Sequence, residues 1–255
     1  VIPHRFIRSI LLAKLAGIKK IIGFDVATGS FLLTDKRHYD MSKHEVERLL
    51  DLIDYSEERV PLRIYPSRKD SEKIDEILDG KSYKNLITIA PGSQRPEKIW
   101  PIKKYDELIK MFSENSANLI AVTGGKAEKS LLLKSVNVEN VIDLRGEISL
   151  LEFAALLSKS DIIISNDSAP VHIGSAFEKP FIIGIFGPGK RALGFFPWTE
   201  KSVVIEDNNF YENSITAVPE KQHTYSKDYY KGIPEITVDR VYKEVIKRLE
   251  NKNEK

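Results

Sequence analysis

The apolar positions of this chain follow two rhythms, and the change between them falls near residue 85. In residues 5–16 they stand at 6, 7, 10, 11, 12 and 15, a helical spacing stopped by Gly17. Residues 18–24 read as a short strand. Ser42 followed by Glu45 has the spacing of a capping box, and Val46, Leu49, Leu50, Leu52 and Ile53 mark the helix after it. Pro61 and Pro66 make residues 60–66 an extended linker, and residues 67–80 carry one short amphipathic helix. From residue 85 the pattern turns regular. Apolar runs at 86–90, 118–123, 141–144, 161–165 and 181–186 alternate with amphipathic stretches at 102–113, 127–135, 150–159 and 171–177.

Unbroken apolar strands alternating with amphipathic helices predict a parallel sheet covered on both faces. Right-handed crossovers set the carboxyl end of every strand on one edge, and ligands of such sheets bind beyond that edge. The turn-forming residues fall there: Pro91-Gly92-Ser93, Gly124-Gly125, Arg145-Gly146, Asp167-Ser168-Ala169 and Gly187-Pro188-Gly189. Five polar or glycine-rich loops on one rim make a binding surface. Residues 251–255 are expected to fray.

Composition narrows the classes. The 255 residues are 42% hydrophobic and 30% charged, with a net charge of +2, a globular balance unlike that of a strongly basic nucleic-acid binder. Cysteine is absent, which excludes a disulfide framework, a thiol nucleophile and a Cys-ligated metal. No apolar run reaches the roughly 20 residues that span a bilayer. Val1-Ile2-Pro3-His4-Arg5 lacks a signal-peptide pattern. The first residue is Val1 rather than Met, so the sequence reads as a processed chain or a piece of a longer one. Arg5, Arg8, Lys14, Lys19 and Lys20 precede the first acid, Asp25. They make a solvated helix face, or a surface for an anionic lipid head group or phosphorylated acceptor.

The loops hold the candidate chemistry. Pro170 suits the first turn of a helix, whose free amides and positive dipole end attract phosphate. Asp167 would repel a phosphate and suits neutral sugar or ribose hydroxyls instead; equally, Asp167 or Ser168 can simply cap the helix. Ser93, Gln94 and Lys98 can reach a diphosphate, with Lys98 acting as a point charge. Lys98 also reads as a solvated loop residue, and Trp100 as a core plug. Gly124-Gly125 permits close approach of backbone to ligand or an ordinary tight turn, and Glu128 can hold ribose hydroxyls or favour a helix start. Neither the dinucleotide fingerprint nor the phosphate loop of nucleotide hydrolases is present, and no Asp-x-Asp or His cluster points to a metal.

Taken in order, these loops resemble glycosyltransferase family 9, the lipopolysaccharide heptosyltransferases. The matching pieces are Ala90-Pro91-Gly92-Ser93 with Lys98-Ile99-Trp100-Pro101, Thr123-Gly124-Gly125 with Glu128, Leu144-Arg145-Gly146 with Ser149-Leu150, Asn166-Asp167-Ser168-Ala169-Pro170-Val171-His172, and Phe186-Gly187-Pro188. The resemblance implies an α/β protein of GT-B type. It implies a complete C-terminal Rossmann-like domain at residues 85–240 and a partial N-terminal, acceptor-side half at 1–66. Residues 67–84 would join them, and 241–255 would form a C-terminal helix and tail.

It further implies a donor site. Ser93 and Gln94 would contact the diphosphate and Lys98 would neutralise it. Glu128 would take the ribose hydroxyls and Ile148 would pack on adenine. Asp167 would hold the sugar, with the amides of Ser168 and Ala169 on phosphate and His172 supporting the loop. The implied reaction is inverting transfer of a sugar, heptose from ADP-heptose, to a lipopolysaccharide core or related glycolipid acceptor. It would need no cofactor, metal or nucleic acid, and would run in the cytoplasm or at the inner face of the inner membrane. Departures from the family are specific. The family's opening strand, with the Gly-Asp loop of the general base, has no counterpart, so that base is expected outside this chain. Ala169 replaces a common Gly, and cysteines common in the loop matching 210–233 are missing. The alternative is a nucleotide-sugar-binding module without turnover. A sugar-nucleotide epimerase is disfavoured, because no paired acid and base are evident.

Overall fold

The computed structural model describes residues 1–55, 60–187, 193–206 and 233–253. The chain divides into two compact units: Val1–Val60 with Arg191–Phe195, and Pro61–Lys190 with Phe196–Lys255.

The first unit contains α1 (Ile7–Leu15), β1 (Ile22–Phe24), β2 (Asp35–Arg37) and α2 (Glu45–Asp51). β1 and β2 pair in parallel, and Ile2 bridges Gly23. Ile2, Ile10, Ile21, Ala27 and Leu33 form its core. Only Ile10 of α1 is buried; Leu11, Leu12 and Leu15 are exposed, so the apolar stripe read from the sequence is not a core face here. Arg8, Lys14, Lys19 and Lys20 are exposed as well. Arg5 instead lies 4.5 Å over the ring of Tyr39.

The capping box sits two residues later than the sequence suggested. His44, not Ser42, is the N-cap of α2, and its partner is Glu47. Ser42 is occupied elsewhere, donating to Asp40 at 2.6 Å. Arg48 is fully buried and saturates its donors on the carbonyls of Asp40, Met41 and Leu193, the Tyr39 hydroxyl and Glu45.

The second unit is a six-stranded, all-parallel sheet. Its strands are β3 (Asn85–Ala90), β4 (Asn118–Val122), β5 (Val141–Asp143), β6 (Ile162–Asn166), β7 (Phe181–Ile185) and β8 (Ser202–Ile205). They lie in the order β5-β4-β3-β6-β7-β8. Every residue of β3, β4 and β6 is buried, which is why these strands read as continuous apolar runs. The order reverses direction between β3 and β6, and with right-handed crossovers the reversal sends helices to both faces. α3 (Arg68–Leu78) and α5 (Leu150–Lys159) share one core with the sheet through Ile74, Leu78, Leu86, Leu119, Ala121, Ala155 and Leu156. α4 (Ile102–Ser113) and the last helix, α7 (Val238–Asn253), stack Phe112 on Tyr242. α7 runs through Asn253, three residues into the tail expected to fray. α6 (Ala169–Gly174) joins β6 to β7. No helix among the described residues is long and apolar enough to cross a membrane.

The predicted helix at 127–135 is absent. Two short 3-10 turns, Lys126–Ser130 and Ser135–Asn137, take its place. The Arg145 guanidinium braces this irregular path, its Nη1 donating to the carbonyls of Glu128 and Leu131. The Ser135 amide is likewise diverted to Asp106.

Asp161 anchors the amino end of β6. Its carboxylate accepts from the Leu86 amide at 2.9 Å and meets Lys252 at 2.8 Å and Lys179 at 3.2 Å. Burial alone would raise its pKa, but Lys252, the Leu86 amide and Lys179 together hold it below the ordinary 3.8. A depressed carboxyl stabilises the fold above the unfolded-state value and loses that contribution as pH falls through the folded one. Asp161→Ala is therefore expected to cost about 1–3 kcal/mol at pH 7, chiefly through the orphaned Leu86 amide. The gap to wild type should narrow below pH 3.8. Thermal unfolding followed from pH 7 to pH 3 checks both; a gap that widens in acid would refute the account.

Candidate functional site

A cleft of about 750 Å³ opens at the carboxyl edge of the second unit's sheet. It lies where the strand order reverses, beyond the ends of β3 and β6. Loop 91–98 and loop 167–170 form its floor, residues 123–128 one wall, and Ile148, Leu150, Phe153 and Ile173 an apolar wall. Of the five predicted loops, those after β3, β4 and β6 line it directly. Arg145-Gly146 stands behind the wall, and Pro188 and Gly189 lie outside the described residues.

The floor is built around an ion pair. Lys98 Nζ is 2.9 Å from Asp167 Oδ2, with side chains only 15% and 6% exposed. Lys98 also approaches the Asp167 carbonyl at 3.4 Å. The pair brings a cation and a carboxylate from loops 69 residues apart to one point. Next to them, Ser168 is the N-cap of α6 but makes no side-chain cap bond; its hydroxyl lies 3.2 Å from that of Ser165. Pro170 stands in the first turn, where the missing amide is no loss. The Ser168 side chain thus leaves the first-turn amides of α6 uncapped.

Glu128 fills a cradle that only glycines allow. A Cβ on Gly92 would lie 2.3 Å from its Cγ, one on Gly124 would lie 2.8 Å from its Cβ, and one on Gly125 would lie 3.0 Å from Oε2. The backbone beneath Glu128 is fixed by Arg145, which is 4% exposed. Arg145 forks onto Asp143 at 2.8 and 2.7 Å and donates to the Glu128 carbonyl at 3.0 Å. The Arg145 hydrogen bond holds the Asp143 carboxyl below its ordinary value against partial desolvation. Gly146 turns here with φ 73°, and a Cβ on it would meet the Lys126 backbone at 3.1 Å.

One side of the cleft is therefore apolar and can take a flat ring. The other offers a carboxylate beside bare backbone, then a lysine, then a second carboxylate. Such a series matches a base, a ribose, a diphosphate and a sugar.

Residues 4–223 match the family model for glycosyltransferase family 9 (heptosyltransferase). The chain belongs to that family. A curated relative, the lipopolysaccharide core heptosyltransferase OpsX of Haemophilus influenzae, is 29% identical over 167 residues, covering 62% of this chain and 47% of that protein. Among solved structures, the ADP-heptose lipopolysaccharide heptosyltransferase II of E. coli aligns with a TM-score of 0.72 at 20% identity, covering 98% of this chain and 76% of its own. A family 9 glycosyl transferase from Veillonella parvula aligns at 0.74 and 21% identity, covering 97% and 72%. The fold is thus the GT-B type of these heptosyltransferases. The chain spans about half the length of the curated relatives it matches.

Ser93, Gln94, Lys98, Glu128, Ile148, Asp167, Ser168 and Ala169 all line this cleft. His172 does not line it. It lies in the last turn of the short α6, beyond Ala169 and Pro170. Trp100 is fully buried, giving its indole N–H to the Ile236 carbonyl. Arg95, Lys126, Leu150, Phe153 and Ile173 also line the cleft and were given no role from the sequence. Phe153 and Ile173 belong to helix stripes that read as core, so nothing in the pattern separates them from packing residues. Asn166 stands in the matching segment but was given no role; an asparagine that ends an apolar strand is the signal that could have assigned one. Among the described residues no group of three or more His, Asp or Glu side chains is placed to hold a metal ion.

Proposed function

We propose that the cleft holds a nucleoside diphosphate sugar, and that the protein transfers the sugar, heptose from ADP-heptose, to a lipopolysaccharide core or related glycan with inversion. The observation that carries this is the Lys98–Asp167 pair, placed at the strand-order reversal between a glycine-cradled Glu128 and an apolar wall. The base packs near Ile148, and Glu128 accepts from the ribose hydroxyls. The diphosphate lies by Ser93, Gln94, Lys98 and the amides of Ser168 and Ala169, and Asp167 accepts from the sugar. His172 acts through the Asp167–Ala169 loop.

An acceptor hydroxyl attacks the anomeric carbon, its proton passes to a base, and the bond from that carbon to the diphosphate oxygen breaks. Lys98 and the α6 amides meet the charge that grows on departing ADP. No cofactor or metal has a part in this reading. The names of the relatives support the donor and the acceptor class. We place the reaction in the cytoplasm, at the inner membrane face, where exposed Arg8, Lys14 and Lys19 can meet anionic head groups.

The alternative reading is donor binding without turnover. Calorimetry with ADP and ADP-heptose, a transfer assay on the same chain and sedimentation with phosphatidylglycerol vesicles test these points. Micromolar to sub-millimolar ADP binding with transfer is expected. Binding without transfer selects the second reading, no ADP binding sinks both, and protein that stays with the supernatant rejects the membrane placement.

A further inference from the structure

Asn166 is fully buried, and its side-chain amide uses its whole hydrogen-bonding capacity. Its Nδ2 donates to the carbonyls of Pro91 at 2.8 Å and Gly92 at 3.3 Å. Its Oδ1 accepts from the Trp100 amide at 2.9 Å and from the Tyr105 hydroxyl at 2.9 Å. A carbonyl can only accept and a peptide N–H can only donate, so these partners fix which end of the amide is which. The two sets of partners bracket loop 93–98. That loop carries Ser93, Gln94 and Lys98, and its entry and exit are both tied to one side chain.

We infer that Asn166 is a positioning residue: a clasp that closes the 92–100 segment into a ring and so holds Lys98 ready for the diphosphate. The inference rests on the donor-site reading above. A loop closed in advance has already met its ordering cost, so less affinity is lost when the ligand arrives. The clasp also sets the geometry of the floor. Asn166 is the last ladder residue of β6, opposite Ile185, and Asp167 follows it directly. One strand end therefore fixes both partners of the Lys98–Asp167 pair, Asp167 through the backbone and Lys98 through the Asn166 amide.

Asn166→Asp keeps the shape but loses the donor. It can still accept from Trp100 and Tyr105, while its second oxygen faces the Pro91 carbonyl. ADP affinity measured by calorimetry is expected to fall about 10- to 100-fold, the cost of one buried donor replaced by repulsion. In a Lys98→Met background the same change should matter less than about threefold, because a clasp that acts through Lys98 has nothing left to position. Amide hydrogen exchange without nucleotide should rise across 92–100 and leave β4 and β7 unchanged. Tyr105→Phe removes one acceptor bond from outside the cleft and should shift affinity in the same direction, by about threefold.

Equal losses in both backgrounds, exchange that rises throughout the sheet, or a loosened loop with unchanged ADP affinity would each overturn the clasp. Wild-type protein that ignores ADP would overturn the donor reading and the clasp's purpose with it. The exchange data tell that failure apart from a wrong assignment of Asn166.

Discussion

Lys98→Ala is expected to lower ADP affinity about 100-fold, through loss of a charge-assisted contact to phosphate in a site largely shielded from water. In the complete protein transfer should fall further, by roughly 10²–10³ in kcat, because the leaving diphosphate carries more charge in the transition state than in the bound donor. Two effects add. The cation is gone, and the Asp167 carboxylate, 6% exposed and formerly 2.9 Å from Lys98 Nζ, now faces the phosphates without that partner. Asp167→Ala alone should also cripple transfer, through the sugar. The double variant separates the effects: once Asp167 is removed, deleting Lys98 should cost less in ADP affinity than it does in wild type. Calorimetry and steady-state kinetics on the four proteins check this. If ADP binding by Lys98→Ala stays within about threefold of wild type, the pair does not lie at the diphosphate.

The second large effect is expected at a residue that never touches the cleft. Arg145→Met preserves length but strips the donors from the Asp143 carboxylate and the carbonyls of Glu128 and Leu131. Breaking a mostly buried pair of this kind costs about 3–5 kcal/mol, discounted here because the Asp143 side chain is 31% exposed. A loss of about 2–4 kcal/mol in chemical denaturation is the expected result. Asp143 should titrate upward toward its ordinary value, since the Arg145 hydrogen bond is the largest influence holding it down. Function should report the same change in a distinct way. In the proposed donor site Glu128 accepts from the ribose hydroxyls and depends on a fixed backbone, so the preference for ADP over 2′-deoxy-ADP should shrink. An Arg145→Met protein with normal stability and undiminished ribose discrimination would show that Arg145 holds nothing in place.

Much of the second unit was legible because burial on both faces leaves a plain trace. β3, β4 and β6 are apolar along their length, and α4 and α5 occupy the residues that the helical spacing marked, 102–113 and 150–159. Where the reading failed, a polar side chain outside the apolar pattern decided the backbone. Arg145 braces the carbonyls of 128 and 131, and Ser42 was drawn to Asp40, leaving the cap to His44. Neither contact has a periodicity. The site shows the same division. Strand-end loops located Ser93, Gln94, Lys98, Glu128 and Asp167–Ala169, since the sheet's topology sends all of them to one rim; Ile148 came from the family resemblance alone. The pairing of Lys98 with Asp167 was not visible, because local pattern carries no information about which loops meet. Glu128 was read for its carboxylate, but what seats it is the missing Cβ atoms of Gly92, Gly124 and Gly125.

The end of β6 also bears on how such a site can change over generations. Asn166 and Asp167 are adjacent, and each suits only its own surroundings: the amide among carbonyls and donors, the carboxylate beside an ammonium. Deleting one residue ahead of them would bring Asp167 to the place of Asn166, and inserting one would bring Asn166 to the place of Asp167. The first points a carboxylate at the Pro91 carbonyl, and the second sets a neutral amide beside Lys98. Loops on this rim can lengthen, shorten and acquire new partners, while the phase of this one strand stays locked. Drift at the periphery is tolerated around a fixed count of residues at the centre.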